Sequence, residues 1–135
     1  MSAANALLMA IHDRLSGDAE LVSLTGGRVL IDRLADRTPL PLVALGDMES
    51  RDWSTGTDSG EEHLFSLVVW SEAAGRREAA AIATRIRALL DDAPLALDGA
   101  HLVGLLHRTT RTRREPKSGR FVAELSFRAV TEEVS

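Results

Sequence analysis

From Phe121 to Ala129 an apolar side chain recurs at every second position: Phe121, Ala123, Leu125, Phe127 and Ala129 bracket Glu124, Ser126 and Arg128. A period of two belongs to a strand with one face in a core and the other turned away from it. Residues 101–114 read as one long preceding strand, and Pro116-Lys117-Ser118-Gly119 reads as the turn between the two. The chain therefore ends in a hairpin, and the remainder must cover its apolar face.

Along that hairpin the apolar residues stop at Leu106 and resume at Phe121. The interval holds Arg108, Arg111, Arg113, Arg114, Lys117 and Arg120 against the single anion Glu115, a net charge of +5. With residues 105–115 paired to 121–130, the charged end is expected to project on the order of 25 Å, at roughly 3.3 Å per residue. The whole chain nevertheless carries −4. Much of the balance lies in residues 46–62, a second expected hairpin tip, where Asp47, Glu49, Asp52, Asp58, Glu61 and Glu62 face only Arg51, a net −5. Three readings of the two tips stand side by side. They are solvated loops, or the basic one neutralises phosphates, or each meets its complement on a neighbouring protein. In the last case, repetition head to tail generates a closed ring.

The other elements follow from periodicity and punctuation. Leu7, Leu8, Ile11 and Leu15 mark an amphipathic helix, with Ser2 as N-cap and Gly17 past its end. Asp18 caps a short helical turn that Gly26 and Gly27 stop. Residues 28–34 are expected to begin the sheet, and the apolar run 42–45 is a strand buried on both faces. After a polar loop at 51–60, residues 61–71 form a central strand leading into a helix over 75–92, with Ala79, Ile82, Ile86 and Leu89 on its inner stripe. Asp98-Gly99 reads as a tight turn between two short strands. The fold class is α+β: a mainly antiparallel β-sheet with two helices packed on one face and long projecting hairpin loops, in a single domain over residues 1–135. Only the connection from 67 to 97 is a candidate crossover.

Composition narrows the chemistry. With no cysteine, disulfides, thiolate zinc sites and cysteine nucleophiles are excluded. Aromatics make up 4% of the chain, too few for a platform that stacks single-stranded nucleic acid. No apolar run approaches eighteen residues and the start lacks signal-peptide features, so a soluble, cytoplasmic protein is expected. His12, His63, His101 and His107 lack metal-ligand spacing, and no phosphate loop or nucleophile elbow is present. Neither a cofactor nor a metal is expected, and the chain does not read as an enzyme. Trp53, in the polar loop, is a candidate binding anchor.

Four stretches taken together carry a resemblance: "ANALLMAIHDRLSGDAELVSLTGGRVLIDRL", "PLPLVALGDMESRDW", "LVVWSEAAGRREAAAIATRIRALLDD" and "GRFVAELSFRAVTEE". The chain resembles the tail terminators of long-tailed phages and gene transfer agents, also described as tail completion or head-tail joining proteins. That resemblance implies a ring, six-membered in the family, that caps the tail tube and faces the head connector while DNA passes through without specific binding. The implied partners are further copies of the chain, the tail tube protein and the connector or stopper protein, with no membrane. The implied location is the cytoplasm during assembly, then the head-tail junction of the particle. The family has no assigned active site, so no catalytic residue carries over. A connector stopper or adaptor is the neighbouring alternative, and a basic-arm DNA-binding module the distant one.

Overall fold

The computed structural model describes residues 2–30, 38–72 and 76–134. Two helices open the chain. In α1 (Ala3–Ser16) the Ser2 hydroxyl accepts the Asn5 N–H at 3.1 Å, and Gly17 ends the helix. In α2 (Ala19–Thr25) the Asp18 carboxylate accepts the Leu21 N–H at 2.9 Å. Gly26 closes α2 in the left-handed region at φ 68°, which costs glycine little. Both ends of each helix thus lie where the capping residues place them.

Four strands follow, β1 (Leu42–Asp52), β2 (Gly60–Ser71), β3 (Ala100–Arg114) and β4 (Phe121–Glu133), with α3 (Arg76–Leu90) between β2 and β3. They form one antiparallel sheet in the order β1-β2-β4-β3. The last strand of the chain is inserted between β2 and β3, so the α3 connection is the expected crossover. The apolar alternation of β4 decides the orientation of the sheet. Ala123, Leu125, Phe127 and Ala129 are buried with Val69, Leu67, Phe65 and Leu105 beneath Leu7, Ile11, Leu15, Ile82 and Ile86 of the helices. None of the described helices lies on the other face of the sheet.

Several expectations change. Arg28–Leu30 are not a strand; instead the Arg28 carbonyl accepts the Val43 N–H at 2.9 Å beside the start of β1. The rest of that expected strand, 31–34, lies outside the described residues. Residues 94–97 form no strand before Asp98-Gly99, because Pro94 removes a donor and the chain there lies across the core with Leu95 and Leu97 packed on it. The acidic strand runs further than expected: β1 continues through Asp52, leaving 53–59 as the loop.

The largest change concerns the basic hairpin, which does not project as a free arm. Arg114 pairs with Phe121, and Phe121 pairs in turn with Ser71 of β2, so β4 is flanked on both sides up to the turn. Apolar content marked where β3 leaves the core, but it did not mark where the sheet ends, because β2 supplies the backbone partners.

Candidate functional site: two charged sheet edges

The sheet has two outer strands: the second half of β3 carries only cations, and the second half of β1 carries Asp47, Glu49 and Asp52 with the single cation Arg51. On β3, residues 108–114 are exposed. Arg111 and Arg113 pair with Glu124 and Val122, whose side chains turn away from the helices, whereas Thr110 and Thr112 lie on the helix side beside Ala83 and Arg87. Arg114 lies over the Phe121 ring at 4.8 Å. In the turn, the Lys117 N–H donates to the Glu115 carboxylate at 3.0 Å and the Arg120 N–H to the Ser118 hydroxyl at 3.2 Å. Among the described residues Arg108, Arg111 and Arg113 form no ion pair within the chain.

The acidic residues divide into two groups. Asp47 and Glu49 are exposed on β1 and share an open groove with Leu64, Ser66, Glu124 and Arg108. The strand is irregular there, with its register shifting between Leu45 and Met48. Gly46 is required at that point, since a Cβ would lie 2.3 Å from the Ser66 hydroxyl. The second group is held within the chain. Asp52 accepts the Ser54 hydroxyl at 2.6 Å and its N–H at 3.1 Å, closing the loop and holding its carboxyl below the usual range. The Asp58 N–H donates to the Thr55 hydroxyl at 3.1 Å, and Glu61 pairs with Thr131.

Glu62 is buried on the face without helices, where Arg128 and Arg51 each approach a different carboxylate oxygen at 2.5 Å. Donation from Arg128, opposed by desolvation and aided by Arg51, keeps Glu62 ionised below its ordinary range. Both guanidiniums lie 5.2 Å from the Trp53 ring. Trp53 therefore bends back over its own sheet, yet remains 47% exposed. Glu62 is a clamp for the β1–β2 hairpin, an assignment that its place in an acidic run did not reveal.

Two of the four histidines, His63 and His107, are bound into the fold. His63 is buried, its Nδ1 2.7 Å from the Ser50 hydroxyl and its Nε2 2.9 Å from the Thr131 hydroxyl. Desolvation lowers its pKa, against the opposing charge of Glu61. Asp91, just past the end of α3, accepts the His107 N–H at 2.9 Å and ties α3 to β3. No cluster of potential metal ligands exists among the described residues.

A single sheet, with the described helices on one side and opposite net charges on the exposed halves of its two outer strands, has the form of a building block for an assembly. The family model for "Tail completion protein gp17" matches residues 9–132, and the chain belongs to this family. Eighteen chains of solved structures match. One of them, from "Virion of native gene transfer agent (GTA) particle", is 34% identical with a TM-score of 0.86, covering 97% of this chain and 98% of that one. No curated protein matches. The protein is accordingly a phage tail-related structural component.

Proposed function

We propose that the protein joins copies of itself into a ring that caps the tail tube and connects it to the head, as a component of a phage-like particle. The observation that carries this reading is the opposite charge on the two outer strands of one sheet, since a rigid block with complementary ends associates head to tail. Such an interface closes into a ring when its rotation divides a full turn. The likeness to a chain of a gene transfer agent virion supports the same setting. The tail tube protein and the connector or stopper are the partners above and below, and DNA passes through the lumen. The net charge of −4 disfavours its retention there.

Deleting the gene and imaging the induced particles by negative-stain electron microscopy tests this. The expected products are filled heads beside separate tails of irregular or excess length. Joined, normal particles would reject the proposal, and tails of normal length beside unjoined heads would move the protein to the stopper position.

A further inference from the structure

The outer strands β1 and β3 run in opposite directions, so β3 of one copy laid against β1 of the next would continue the antiparallel order of the sheet. Pairing straight across cannot be the arrangement. Following the hydrogen-bonded rows through β2 and β4, Arg113 is level with Leu42 and Arg111 with Ala44, while Glu49 is level with Leu106. Cations would meet buried aliphatic residues, and the Val43 N–H at that level is already given to the Arg28 carbonyl.

A slide of four residues removes both conflicts. Because four is even, every side chain stays on its own face. Arg111 then lies opposite Glu49, Arg113 opposite the Gly46-Asp47 irregularity, and Thr110 opposite Ser50. The outer edge of β3 at Leu105 and His107 is already taken by the Asp92 N–H and the Asp91 carboxylate, so the pairing is confined to the segment 109–114 beyond them. The segment 42–44 stays with Arg28. Resting on the ring reading above, we infer that copies join by antiparallel β3–β1 pairing with a stagger of four residues, setting Arg111 against Glu49 and Thr110 against Ser50.

Closure geometry points the same way without using charge. Four residues of slide per four strands, at roughly 3.3 Å per residue and 4.8 Å between strands, tilts the strands by about 35°. This is the tilt that closed barrels require, about 35 to 45°. The number of copies cancels from that estimate. The direction also agrees. A right-handed β2–α3–β3 crossover and right-handed strand twist give this sense of slide only when the helices are outside and the bare sheet face lines the lumen. Six copies would make a barrel of about 45 Å between backbones, wider than a DNA duplex.

The absence of native cysteine gives a direct test. Particles are produced in which the chain carries Arg111→Cys with Glu49→Cys, or Arg111→Cys with Ala44→Cys, then mildly oxidised and run on non-reducing gels. The first pair is expected to give a ladder of linked chains and the second only monomer. The reverse pattern would overturn the stagger, and monomer from both in particles with intact rings would overturn edge pairing. A second measurement covers loss of assembly by the cysteine variants: Arg111→Glu should abolish rings and Arg111→Glu with Glu49→Arg should restore them, failure to restore counting against the pair. If the wild-type protein forms no ring on its tails, the ring itself fails along with this inference.

Discussion

At the scale of single residues, the buried His63 makes the core sensitive to pH. Its pKa lies below 6.5 in the folded chain, so on acidification the unfolded chain takes up that proton first. The stability it contributes is complete above about pH 6.5 and is lost as the pH falls from there to the depressed folded value. His107, lowered by desolvation and by Arg87, acts in the same direction. Urea midpoints measured between pH 7.5 and 5.5 should therefore fall for the wild type, and fall less for His63→Gln. An equal slope in the two proteins would remove His63 from the account. A titratable residue in a strand was visible in the sequence. Its burial was not, because the Ser50 and Thr131 hydroxyls that satisfy it come from segments 13 and 68 residues away.

At the scale of elements, the structure follows local chemistry wherever local chemistry was decisive. The caps Ser2 and Asp18, the stops at Gly17 and Gly26 and the alternation through β4 each fix their element without outside help. What local chemistry left open was the strand order. Nothing within β4 says that β2 lies on its other side, so the +5 hairpin looked free while it is the braced rim of the sheet. The same blindness hid Glu62, whose two arginines come from β1 and β4. The centre of the sheet carries the stability. Phe127 is 1% exposed, stacks on Phe65 with centroids 5.4 Å apart and receives the edge of His107 at 5.6 Å. Phe127→Ala should cost about 3–5 kcal/mol in urea denaturation, as buried aromatic truncations do. A loss below about 1 kcal/mol would show that the core collapses around the missing ring.

At the scale of the whole molecule, the charged edges and the core are separable. Reversing Arg111, Arg113 and Arg114 to Glu alters exposed positions whose neighbours in the chain are strands already held by β4. The triple variant should keep the circular dichroism spectrum of the wild type while failing to assemble or cap tails. Assembly indistinguishable from wild type would refute a role for this edge between molecules. Exposed ion pairs contribute about 0.2 to 1 kcal/mol each and are screened by salt, so charge alone selects a register more than it holds one.

Because β4 lies between β2 and β3, the fourth strand in sequence is the one that joins the two halves of the sheet. Until it is in place, β1–β2 and β3 are separate pieces with no fixed distance between the acidic rim and the basic one. If the charged edges join copies as proposed, a chain without β4 would display each charge but never both at the spacing of the finished block, and it should fail to add to its neighbours.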